Sequence, residues 1–247
     1  MTVADAKGRR WDAATGIGFA VFTVVAFVLP GTPPKGDDSI LKVTGFLVNH
    51  RTDILVGNFL LGVGAIFFLW FNGTLRSYLR SAEGGEGRLS AAAFGGGVAG
   101  VVLLLAGAAV LNAVSFKLAK AGLVSPQLVR AVFDASSALF AMAGFGFAAF
   151  FAAVACSGAR SGALPPWAYW SASVVAVIQV LSGISLFAQS GAFVSGGAFA
   201  GFIAPGVATL WVVAVSVLMM SREALPPVAR GGPSRIAPPA ASPGTDP

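Results

Sequence analysis

Six apolar stretches, each long enough to cross a bilayer, dominate this chain. They run at about Ala13–Pro30, Thr52–Gly73, Ala91–Ser115, Ala131–Cys156, Trp167–Ala188 and Gly197–Leu218. An α-helix rises about 1.5 Å per residue, so roughly 20 residues span a hydrocarbon core about 30 Å thick. Charged residues make up only 11% of the chain, against roughly 25% in a soluble domain. Too few charges are present to cover a water-facing surface. The pattern therefore predicts an all-α, polytopic transmembrane bundle over residues 13–220. A short N-terminal segment (1–12) precedes it, and a Pro/Ala-rich tail (221–247) follows.

The first stretch is the shortest, and "KGRR" ahead of it gives it the look of a signal peptide. No small-x-small cleavage site follows, so it reads as a retained first span ended by Pro30. Six spans put both termini on one side. That side then holds ten of the sixteen Lys and Arg, in the N-terminal segment, the 74–90 and 157–166 loops and the tail. The positive-inside bias predicts N-in/C-in topology in a cell (inner) membrane. Trp11, Trp70, Trp167 and Trp170 fall near the expected inner interface, where amphipathic rings act as anchors. The net charge of +6 is topological on this reading, and no nucleic-acid partner is expected.

Local punctuation agrees. "SPQ" (Ser125–Gln127) offers an N-cap Ser and Pro at the first helical position, and "LPPW" (Leu164–Trp167) does the same for the fifth span. "DDSILKVTGFLV" (Asp37–Val48) predicts a short helix lying on the outer interface. The last 27 residues carry seven of the fourteen prolines and predict a disordered tail.

Thirty-two glycines bear on how the spans meet, because helices in lipid associate through close backbone approach. Gly96 and Gly100 are four apart, as are Gly197 and Gly201. Ala138, Ala141, Gly144, Ala148 and Ala152 form a small-residue stripe. These predict tight packing within the bundle, with self-association through Gly-rich faces as the second reading. A faint echo relates two spans: Asp53, Gly62–Gly64, Phe67-Phe68, Arg76, and then Asp134, Gly144–Gly146, Phe150-Phe151, Arg160.

Several chemistries are excluded. His50 is the one histidine, which rules out bis-histidine haem and a multi-histidine metal site. Motifs for zinc proteolysis, a serine nucleophile elbow and a P-loop are missing, and no lysine follows Lys120 to form a late Schiff base. No cofactor or metal is expected. The remaining candidates cluster at the outer end. Asp134 lies about 12 Å into its helix, and Arg130 is one turn earlier on the same face. Asp53, with Thr52 as a candidate N-cap, has His50 three residues before it, while Arg51 points elsewhere. Two readings stand: structural ion pairs, or an outer pocket of Asp134, Arg130, Asp53, His50 and Arg51. Asn58, Asn72, Asn112, Gln179 and Gln189 complete the polar set and predict interhelical hydrogen bonds.

"ACSGARSGALPPWAYW" (Ala155–Trp170), with "FDASSALFAMAGF" (Phe133–Phe145) before it and "LWVVAVSVLMM" (Leu210–Met220) after, resembles a family of uncharacterised multi-span bacterial membrane proteins, common in actinobacteria and classed as a domain of unknown function. The resemblance implies architecture and a bacterial setting, and no catalytic residues. The expectation is a non-enzymatic integral membrane protein. The alternative is a small secondary transporter or proton-linked permease using the outer Asp/Arg pocket.

Overall fold

A computed structural model describes the backbone of residues 3–83, 85–121 and 125–222, with side chains for 12, 14–83, 85–115 and 125–221. The predicted tail lies outside these residues from 223 onward. The described residues form helices and connections, with no strand among them. Seven α-helices follow in order: α1 (Val3–Val28), α2 (Ile40–Asn49), α3 (Arg51–Glu83), α4 (Arg88–Ala121), α5 (Pro126–Ser161), α6 (Pro166–Ser182) and α7 (Ala204–Arg222).

Five segments are long and apolar enough to cross a membrane: Arg51–Glu83, Arg88–Ser115, Pro126–Ser161, Pro166–Leu186 and Phe199–Ser221. The apolar part of α1, Ala14–Val28, is shorter, at about 22 Å of rise. The outward faces suit hydrocarbon, since Val28, Phe59 and Leu210 are each 70% exposed.

The helices outrun the apolar stretches. Among the described residues, the expected 74–90 loop is helical except at 85–87, and the expected 157–166 loop is helical except at 162–165. Hydropathy marks where lipid ends, but helix continues while packing supports it. Leu75 and Leu79 remain fully buried past Gly73. Gly162 stops α5 in the left-handed region, at φ 66°, which a side chain resists. At the start of α4 the backbone N–H groups of Leu89 and Ser90 donate to the Glu83 carboxylate at 2.7 and 3.0 Å.

Helix starts follow local chemistry. Ser125 caps α5 by accepting from the Leu128 N–H, with Pro126 in the first turn. Helix α6 starts at Pro166 behind Pro165, with no side-chain cap. Thr52 is not an N-cap: α3 begins at Arg51, and the His50 carbonyl takes the Ile54 N–H at 2.9 Å. His50 thus ends α2 and starts α3 in one residue.

Helix α2 is more than an interfacial helix. Ser39 caps it, and Val43 and Leu47 are completely buried with Ile54, Val114, Val129 and Phe133. It closes one end of the α3, α4 and α5 group, leaving Leu41 79% exposed.

Close packing centres on α4 with α5 and α1 with α3. Gly96 and Gly100 face α5 of the same chain. A Cβ at Gly96 would meet the Phe150 backbone nitrogen at 2.5 Å, and one at Gly146 would overlap the Gly100 backbone. Of the α5 stripe, Gly144 meets Gln179 and Ser182 of the α6 end, and Ala152 is exposed. The two Phe pairs of the sequence echo converge: Phe68 and Phe150 lie 5.7 Å apart, and Phe151 meets Trp211 edge-on at 5.2 Å.

Candidate functional site

The end of the bundle at which α5 begins is organised by Arg130. Its Nε donates to both Asp134 carboxylate oxygens at 2.9 Å. Its Nη1 donates to the Asp38 carbonyl at 2.8 Å, and its Nη2 donates to the Gly36 carbonyl. A planar fork can serve all four acceptors at once; an ammonium cannot. Asp134 is half exposed while Arg130 is largely covered. The aspartate therefore orients the guanidinium, which holds the 31–39 loop onto α5.

That loop continues the network. Gly36 N–H donates to the Ser195 carbonyl at 2.8 Å, joining it to the 187–198 connection. Gly196, at φ 73°, lets this second loop approach so closely that a Cβ would meet the Pro34 carbonyl at 2.6 Å. Asp38 accepts from the Lys35 N–H at 2.8 Å and from Lys42 Nζ at 2.7 Å. These contacts hold its carboxyl below the usual carboxylate range, the Lys42 hydrogen bond first and the Lys35 backbone bond next. Together the loops form a roof.

The other predicted polar residues stand apart. His50 Nδ1 lies 3.6 Å from Asp53 Oδ2, both side chains 45% exposed, and its ring packs on Phe46. Arg51 Nε donates to the Ser115 carbonyl at 3.1 Å, tying the start of α3 to the C-terminal part of α4. Among the described residues no hydrogen bond or ion pair joins His50 or Asp53 to Arg130 or Asp134. No three of His, Cys, Asp and Glu come together among them either.

The interior holds a different feature. A cavity of about 280 Å³ lies between the helices, lined by residues from all of α1 to α7, with Gln179 and Ser182 contributed by the C-terminal end of α6. Its upper wall includes Pro33, Pro34, Ser195 and Gly196 of the roof; its lower wall includes Phe68, Phe151 and Val212. Nine of the twenty phenylalanines line it. Among the described residues no ionisable side chain does, and none of Asp134, Arg130, Asp53, His50 and Arg51 is in the lining. Sequence reasoning missed this cavity, although Asn58 and Gln179 of its polar set line it.

The backbone near the cavity mouth is irregular. After Ser182 the chain tightens into a 3₁₀ turn at Gly183–Leu186, and a π-turn at Phe199–Ile203 precedes α7. Pro205 has no N–H to continue a regular ladder into α7. Ser185, Ala200, Gly201 and Phe202 from these turns line the cavity.

The amides link helices. Asn58 Nδ2 donates to Asn112 Oδ1 at 2.6 Å, Asn72 Nδ2 to the Phe94 carbonyl at 3.1 Å, and Gln179 Nε2 to the Ala204 carbonyl at 2.9 Å. Gln189 is exposed in the 187–198 connection. At the opposite end, Trp70, Trp167 and Trp170 are 61, 50 and 65% exposed, and Trp70 Nε1 donates to Asp12 Oδ1 at 3.1 Å. The Trp11 side chain lies outside the described residues.

Fold and composition define a multi-pass helical membrane protein. The chain matches no protein-family model, no curated protein and no solved structure.

Proposed function

We propose that this is a non-enzymatic, six-span protein of the bacterial inner membrane, with both termini inside, that holds a small uncharged ligand in its cavity. One observation carries the reading: among the described residues, the cavity lining contains no ionisable side chain. An ion or charged metabolite would lose its hydration there without a partner, which costs several kcal/mol or more. Acid–base catalysis also needs a titratable group beside the substrate. The sixth span is Ala14–Val28, supported by the packing of α1 along α3 and α7. The resemblance to uncharacterised actinobacterial membrane proteins supports the bacterial setting. Self-association through Gly96 and Gly100 loses its support, because both face α5.

The test is co-purification. Organic extracts of the purified wild-type chain should contain an uncharged lipophilic molecule near one per chain by mass spectrometry. Ala208→Phe, which fills the lining, should lose it. Wild-type protein that carries no such molecule would refute the reading.

A second reading, a small transporter, draws on the 3₁₀ and π interruptions at the cavity mouth, since transporters break helices at binding sites. Its test is flux in proteoliposomes. A pH-dependent flux abolished by Asp134→Asn would favour the permease form of that reading.

A further inference from the structure

We infer that the cavity takes a slender, uncharged amphiphile: a hydrocarbon chain of isoprenoid type ending in a hydroxyl. The inference rests on the ligand-holding reading above and names the class. Shape is the first argument. The lining runs along α5 from Phe133 to Phe151, about 27 Å of helix. A volume of about 280 Å³ drawn out over that length suits a thin chain, not a compact metabolite. Wall chemistry is the second. Aromatic faces such as Phe68, Phe140 and Phe147, backed by small residues, favour unsaturated or methyl-branched hydrocarbon through dispersion and area burial.

The third argument is the polar set. Gln179 is 5% exposed and spends its amide N–H on Ala204. Its Oε1 accepts no hydrogen bond among the described residues, although Gln179 is in the lining. Ser185 is 8% exposed, also lines the cavity, and makes no side-chain hydrogen bond among the described residues. Buried polar atoms of native proteins are normally paired. A ligand hydroxyl can donate to Gln179 Oε1 and accept from the Ser185 Oγ–H. A fully ionised phosphate or a carboxylate could not donate, and among the described residues no cation in the lining would balance it.

The experiment uses the full chain in neutral detergent, with thermal unfolding as readout and three probes: farnesol, farnesyl phosphate and farnesene. Farnesol should raise the unfolding temperature saturably and farnesyl phosphate should not. Farnesene, lacking the hydroxyl, should bind about thirtyfold more weakly, the effect of two net hydrogen bonds. Ser185→Ala, which removes one of them, should weaken farnesol about fivefold and leave farnesene unchanged. Ala208→Phe should abolish both shifts. A saturable farnesyl phosphate shift equal to that of farnesol, or Ser185→Ala weakening both neutral probes alike, would overturn the ligand class and leave the cavity a binding site. Silence from all three probes, with no co-purified molecule, would overturn the site itself.

Discussion

Arg130 Nη1 donates to the Asp38 carbonyl at 2.8 Å, across 92 residues of chain. One side chain thus joins α5 to the roof over the cavity, and Asp134, four residues on, fixes its plane. Charge-assisted bonds from a largely covered guanidinium are each worth more than a neutral bond. Arg130→Ala should destabilise the protein by about 2 kcal/mol. Arg130→Lys should recover little of this, because an ammonium cannot span the four acceptors. Asp134→Asn, on a half-exposed partner, should cost at most about 1 kcal/mol. Detergent-phase chemical unfolding gives all three values. Equal losses for Arg130→Lys and Asp134→Asn would contradict the fork geometry.

Acid should loosen the same roof through Asp38. Its carboxyl is held below its ordinary value of 3.8, first by the Lys42 hydrogen bond and then by the Lys35 N–H. A carboxyl lowered in the folded state contributes stability that is complete above its unfolded value and is lost as pH falls through the folded one. Hydrogen exchange of residues 31–39, corrected for intrinsic rates, should therefore stay constant from neutral pH to about 4 and accelerate below the unfolded value near 3.8. Asp38→Asn should show the faster exchange at every pH and no acid step. An acid step that persists in that variant would assign it to another group.

These contacts of Arg130 show what the sequence makes legible and what it hides. The i, i+4 spacing of Arg130 and Asp134 already places them on one helical face. The same guanidinium's reach to Gly36 and Asp38 is set by how α5 packs against a distant loop, which no local pattern encodes. The spans are legible because lipid demands apolar runs. Their ends are less so: Leu75 and Leu79 keep α3 helical beyond the hydrocarbon by burying against protein. The cavity is the hardest part. Phe68 and Phe151 look alike in sequence to Phe59, yet the first two line the cavity while Phe59 faces outward.

The α4–α5 contact gives a prediction that separates packing from propensity. A methyl at Gly146 would overlap the Gly100 backbone, and two main chains can only separate. Gly146→Ala should cost about 1–3 kcal/mol, the range for overpacking. Gly95→Ala lies in the same helix pair with nothing within 4 Å of its Cβ. It should be neutral or stabilising by up to about 1 kcal/mol, from helix propensity alone. Unfolding in mixed detergent measures both. A similar cost at the two sites would mean that Gly146 and Gly100 are not in contact.

Topology can be tested at positions that carry little structural work. Asp37 is exposed on the roof, unlike Ser39, whose hydroxyl caps α2. Glu86 lies in the 85–87 turn at the opposite end, 74% exposed. Its pairing with Arg88 is a surface contact worth about 1 kcal/mol or less. In a Cys156→Ser background, which removes the single native thiol, a membrane-impermeant maleimide applied to intact cells should label Asp37→Cys and spare Glu86→Cys. Permeabilisation should then expose the second site. Five spans with α1 held outside the bilayer would leave the roof and the 85–87 turn on the same sides as six spans do. The count therefore needs a third site ahead of α1 in sequence, and Thr2→Cys should be protected in intact cells. Labelling of Thr2→Cys without permeabilisation would mean that Ala14–Val28 does not cross.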